Sequence, residues 1–199
     1  MKPSFFVPQI GALVCVALVS ACSGGGSDSA APAPASGSES QSQKSHWLVN
    51  DVSYSSSARS TSTSESSEMT IVGAGTDGAD QANGNYAGSS LLIAHSLTSP
   101  GEYRIADSFT SFTAALKANP NDRVAHITVT VGTAVLPVAA TRYESAGSGT
   151  LSVTIDENGS YHFTSNQPIA INKISDLGIG VPDAPAVAQI SLNGIHDFE

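Results

Sequence analysis

Gly73-Ala74-Gly75-Thr76-Asp77-Gly78 has the G-x-G-x-x-G spacing of a dinucleotide-binding turn. In such a turn the glycines let the backbone approach a pyrophosphate at the N-terminus of a helix. A predicted strand, Met69–Val72, precedes the motif as required. The stretch Asp80-Gln81-Ala82-Asn83-Gly84-Asn85 carries no apolar stripe for the helix that must follow. The motif therefore reads as a polar loop between strands. The same loop holds Asp77, Asp80, Asn83 and Asn85, hard oxygen donors of the kind that ligate Ca²⁺. Their spacing is not that of an EF-hand; the loop reads as a solvated turn, with calcium as the open alternative. The histidines His46, His95, His126, His162 and His196 form no close pair and no H-E-x-x-H, whereas zinc needs three or four converging ligands. His126 and His162 fall on the polar sides of their strands and are expected to be exposed. Serines are abundant, but there is no G-x-S-x-G elbow, and Gly147-Ser148-Gly149 precedes a strand, as a turn does. No catalytic residue, cofactor or metal ligand is assigned from the sequence. A hydrolase would need a Ser-His-acid set assembled in space.

Cys22 is the side chain with the clearest chemistry. Lys2 is followed by an apolar stretch, Phe5 to Val19, of about fifteen residues, the length of a signal-peptide core and short of the ~20 a spanning helix needs. The stretch ends in Leu18-Val19-Ser20-Ala21-Cys22, which resembles the lipobox of bacterial lipoproteins: a branched apolar residue, two small residues, then Cys. The resemblance implies cleavage between Ala21 and Cys22, with Cys22 becoming the lipidated first residue of the mature chain. Cys15 would be lost with the signal, leaving no cysteine pair for a disulfide. An ordinary secretory signal cut near Ala21 and an uncleaved anchor are the competing readings. Under the lipoprotein reading the protein is anchored and does not span; Ser23, where inner-membrane lipoproteins of Gram-negative bacteria commonly carry Asp, favours the outer membrane if the source is Gram-negative.

The elements that follow fall into a tether and one domain. Residues 1–21 are the signal, 22–45 a Ser/Gly/Ala/Pro tether without a large apolar residue, and 46–199 a single β-rich domain. The tether cannot bury enough surface to offset its ordering entropy and is expected to be disordered. From His46 onward the pattern has period two. Ile127, Val129 and Val131 alternate with threonines, as do Leu151, Val153 and Ile155 with Ser152 and Thr154. Tyr161 and Phe163, Ile169 and Ile171, and Ile190 and Leu192 continue it. Thr150–Ile155 and Ser160–Thr164 flank Asp156-Glu157-Asn158-Gly159, a hairpin whose Asn-Gly supplies positive φ. Phe109, Phe112 and Leu116 have helical spacing, with Asp107 or Ser108 to cap the start and Pro120 to stop it. Ser55–Ser67 is either an exposed strand or a long loop.

About eight short strands and one helix make an all-β domain, an antiparallel β-sandwich or barrel. The latter half also resembles small uncharacterised β-sandwich lipoprotein domains: Pro100-Gly101-Glu102-Tyr103, then Gly149-Thr150-Leu151-Ser152-Val153-Thr154-Ile155. That resemblance assigns no site. Eight Lys+Arg against 17 Asp+Glu, a formal charge of -9, exclude the basic patch of a nucleic-acid binder or a polybasic membrane-surface protein. The function class expected is a membrane-anchored envelope lipoprotein that binds a protein or glycan or plays a structural part. An envelope hydrolase with an assembled site is the alternative.

Overall fold

The computed structural model describes residues 44–196 except 57, 65–68, 76–87, 97–99, 134–136 and 158. Among these residues the chain forms twelve strands and one helix. In order they are β1 (Ser45–Val49), β2 (Val52–Ser56), β3 (Ala58–Ser64), β4 (Met69–Gly75), β5 (Ser89–Ser96) and β6 (Gly101–Ile105). Then come α1 (Phe109–Ala118), β7 (Val124–Thr133), β8 (Ala139–Ser145), β9 (Thr150–Ile155), β10 (Tyr161–Thr164), β11 (Ile169–Gly178) and β12 (Val187–His196). All the strands share one hydrogen-bonded network, ordered β2-β1-β12-β10-β9-β6-β7-β5-β4-β3, with β8 and β11 bridging β7 to β12.

The expected all-β fold with one helix is what the sequence adopts. The Asn-Gly hairpin forms between β9 and β10, with Val153 opposite Phe163. Gly159 has φ +88°, and Ser160 N–H donates to the Asp156 side chain, closing the turn. This hairpin is longer than the sequence shows, because β8 and β9 run end to end against β11 and β10, Ser145 opposite Ile171 and Ser152 opposite Thr164. At the start of the domain, Asn50 and Asp51 both take positive φ, which a tight two-residue turn between β1 and β2 requires. Ser45, assigned by sequence to the tether, is already the first residue of β1 and is buried.

Alternating residues from β1, β2 and β5 to β12 face one core. Trp47, Ile93, Tyr103, Ile127, Phe163 and Ile190 are each fully buried in it. The curl of the sheet is visible in one bond: Trp47 Nε1 on β1 donates to Ser89 Oγ on β5 at 3.0 Å, although the two strands are far apart in the strand order. The terminal strands of that order, β2 and β3, are separated by a single residue in the sequence, so the chain itself links the two edges.

Helix α1 covers a second, smaller core on the outer face. Ser108 is the N-cap: its Oγ accepts from Ser111 N–H, and Ser111 Oγ accepts from Ser108 N–H. Asn119 ends the helix immediately before Pro120. Phe112 and Leu116 point inward against Ala94, Ala106 and Val124. The helix joins β6 to β7 and lets them pair in parallel, Arg104 opposite Val124. The antiparallel expectation thus has one exception, built by this crossover.

The β11–β12 connection depends on Gly178, which has φ +63°; a Cβ there would sit 1.9 Å from the Val138 carbonyl oxygen. Gly178→Ala is expected to destabilise the domain by about 2 kcal/mol or more, since the backbone conformation and the contact both oppose it. Urea unfolding of the two proteins measures this; equal midpoints would contradict it.

Candidate functional site

A cleft of about 170 Å³ opens where the β1–β2 turn meets the β11–β12 loop. Val49, Asn50, Val52 and Tyr54 form one wall, Val131, Thr141 and Tyr143 the floor side, and the segment from Val181 to Pro185 the other wall. The sequence builds this loop to be stiff: Pro182 and Pro185 fix two φ angles, and Asp183 sits at positive φ between them. Val181 N–H donates to Thr141 Oγ1, and that hydroxyl donates to Asp176 Oδ1 at 2.7 Å, tying the loop to β8 and β11. Lys173 Nζ lies 2.9 Å from the same carboxylate, and these bonds hold the Asp176 carboxyl below its usual range. Burial raises the Tyr54 hydroxyl, and burial with the charge of Asp176 raises that of Tyr143, so both phenols stay neutral.

Exposed aliphatic side chains lie in the cleft wall and next to its loop in the sequence. Val52, in the wall itself, is 54% exposed; Ile179 and Val187, flanking the Val181–Pro185 segment, are 74% and 59% exposed. The cleft is smaller than the ~300–1,000 Å³ of a drug-sized ligand site. It matches one ring or one side chain, since an apolar void of roughly 150 Å³ holds a benzene.

A second group lies under α1. His126 on β7 is 3% exposed, which corrects the expectation that it faces solvent. Its side of β7 is outward, as the alternation predicts, but α1 covers that side; Phe109 meets the imidazole edge-on with centroids 5.8 Å apart. His126 Nε2 is 3.6 Å from Glu144 Oε2 on β8, and Arg142 reaches the other carboxylate oxygen at 3.5 Å. Asp107, at the helix start, adds a weaker attraction. Burial lowers the His126 pKa below its usual value and outweighs the pull of Glu144.

A histidine, an acid and two serines are therefore near one another, the grouping an assembled hydrolase site requires. The serines are not poised as nucleophiles. Ser108 and Ser111 are spent on the capping box and on the Asp107 carboxylate, to which both donate. A nucleophile needs its hydroxyl directed to the base. The geometry is that of a helix cap packed beside a buried histidine.

This burial has a consequence for stability. A histidine whose folded pKa is depressed favours the fold in its neutral form. Stability is therefore intact above the unfolded value near 6.5 and falls as pH drops through it toward the lower folded value. The wild-type melting temperature is expected to fall between pH 7.5 and 5, and His126→Gln to fall less over that range. Parallel decreases for the two proteins would contradict this role of His126.

Other residues singled out in the sequence separate clearly. His162 is also not freely exposed: its Nε2 lies 3.2 Å from Asp156 Oδ2 across the hairpin. Its Cα partner on β12 is His196, a juxtaposition produced by strand register and invisible in the linear spacing. His95 is fully buried among Tyr103, Tyr161 and Phe163, its Nδ1 2.8 Å from the Ser96 carbonyl. His46 is exposed on β1. Gly73 and Gly75 lie within β4, paired antiparallel to β3 on one side and β5 on the other. The strand thus runs through the first half of the supposed dinucleotide motif, where a turn would be needed. Gly147 and Gly149 form the β8–β9 turn with positive φ. Ala21, Cys22 and the Asp77–Asn85 loop lie outside the described residues.

Sequence reasoning missed the cleft, because four separated segments contribute to it; the Pro-Asp-Ala-Pro run at Pro182–Pro185 was the one local signal of a rigid loop. No family model matches the chain, and no curated protein or solved structure matches it.

Proposed function

We propose that this chain is a lipid-anchored protein of the bacterial envelope whose β domain binds a partner protein through the cleft between the β1–β2 turn and the β11–β12 loop. The observation that carries the anchor is Val19-Ser20-Ala21-Cys22 directly after a short apolar stretch, with no second cysteine in the mature chain. Two or more acyl chains on Cys22 supply the stable attachment that a single chain does not. Ser23 after the cysteine, where inner-membrane lipoproteins commonly carry Asp, supports an outer-membrane anchor if the source is Gram-negative. Binding is supported by the apolar, stiff cleft and the exposed Val52 in its wall. An apolar lining suits a protein side chain better than a glycan, whose hydroxyls need many polar partners. β1 begins at Ser45, at the opposite end of the strand from the cleft residue Asn50.

Intact-mass spectrometry of the protein purified from its native membranes tests the anchor. The expected mass is that of a chain beginning at Cys22 with a diacylglyceryl group. A mass beginning at Met1, or an unmodified Cys22, would overturn it.

A further inference from the structure

We infer that the cleft takes one apolar side chain carried beside a positive charge on the partner polypeptide; this rests on the binding reading above and names the chemistry of the occupant. The size sets the first half: about 170 Å³ lined by valines, prolines and two tyrosines accommodates a single ring or branched chain. Charge sets the second half. Asp183 is part of the lining, and Asp51 follows the lining residue Asn50 in the same turn. Asp176 is bonded to Thr141 in the wall, and its charge reaches Tyr143. Lys173 offsets the charge of Asp176, so Asp183 and Asp51 supply the uncompensated charge beside the opening. The rim is therefore net negative on a chain that carries 17 acidic residues against 8 basic ones. A cation beside the anchor gains from that field, and an anion is repelled.

The site is also preformed. Asn50, Asp51 and Asp183 are held at positive φ, two prolines stiffen the loop, and the Val181–Thr141–Asp176 chain of hydrogen bonds fixes it to the sheet. A fixed rim gives charge selectivity that a loop able to swing away would lose.

The protein contains its own reporter. Trp47 is its one tryptophan, and it stacks on Tyr54, a residue of the cleft wall, with centroids 5.9 Å apart and planes inclined by 22°. The experiment is a titration of Trp47 emission in the mature protein, held in phospholipid nanodiscs, with benzylammonium, benzyl alcohol and benzoate. These share one ring and differ in charge. Benzylammonium is expected to change the emission saturably and to bind about tenfold more tightly than benzoate at low salt. Asp183→Asn, in which the new residue also tolerates positive φ, is expected to weaken benzylammonium severalfold and benzyl alcohol much less. Equal affinities for the three probes, or an unaltered benzylammonium affinity in Asp183→Asn, would overturn the charge assignment and leave the binding cleft standing. No response to any of the three would remove the cleft itself from the function.

Discussion

A chain ended at Ala188 is expected not to fold. β12 is hydrogen-bonded to three strands, β1, β10 and β11, more than a simple strand position provides. Removing residues from Gln189 onward takes Ile190, Leu192 and Ile195 out of the core, all of them within 1% of full burial. Their burial is worth roughly 5–9 kcal/mol together. The whole stability of a domain is about 5–15 kcal/mol. The deletion also strands the backbone of its neighbours: Asn50 N–H and Ser165 N–H lose the carbonyls of Gln189 and Leu192. Trp47 pairs with Leu192 across β1, so its environment reports the loss directly. Circular dichroism and Trp47 emission should show an unfolded or aggregated chain without a cooperative thermal transition. A shortened protein melting at the wild-type temperature would mean that β12 is dispensable to the core.

What the sequence disclosed follows from how side chains alternate. Where one face of a strand is buried and the other wet, period two is visible, and β7, β9, β10 and the start of β11 could be read directly. Leu91-Leu92-Ile93 has no polar residue to mark a period, yet Leu91 and Ile93 face the core and Leu92 is 38% exposed, so it too alternates. β8 is poorly legible because Ala139, Ala140, Thr141 and Ser145 fill inward positions with small side chains. β3 runs through Arg59-Ser60-Thr61-Ser62-Thr63, without any apolar residue to alternate; its pairing with β4 makes it a strand. Those two account for much of the difference between about eight expected strands and the twelve described, since periodicity detects only strands that bury large residues.

The site was harder to foresee for a different reason. His126 sits on the outward side of β7, as its threonine neighbours imply, and is buried only because α1 crosses over it. A strand's own pattern contains no record of what packs on its far side. The cleft is likewise a property of topology: Tyr54, Tyr143 and Pro182 meet only because β2, β8 and the β11–β12 loop converge at one end of the sheet. Sequence supplied the stiffness of the parts and the acidity of the chain, and the fold supplied their coincidence.

Cys22→Ser is expected to abolish fatty-acid labelling of the protein and to move it from the membrane to the soluble fraction. Under the lipobox account the lipid is carried on the Cys22 sulfur, and a serine hydroxyl, far weaker as a nucleophile than a thiolate, leaves nothing for the lipid to attach to. Each buried methylene of the lipid contributes about 0.8 kcal/mol to membrane attachment, so losing two or more chains removes the whole of the anchoring energy. Under the same account residues 22–45 carry no large apolar residue, and the formal charge of -9 on the full sequence disfavours anionic lipid surfaces. Labelling decides between this account and an uncleaved apolar anchor. Under the second account, Phe5 to Val19 would hold both proteins in the membrane with no label on either. Wild-type protein that takes up labelled palmitate, beside a Cys22→Ser chain that does not and is released, is the result the lipobox predicts. A variant that is still labelled would transfer the lipid to another residue and end the assignment of Cys22.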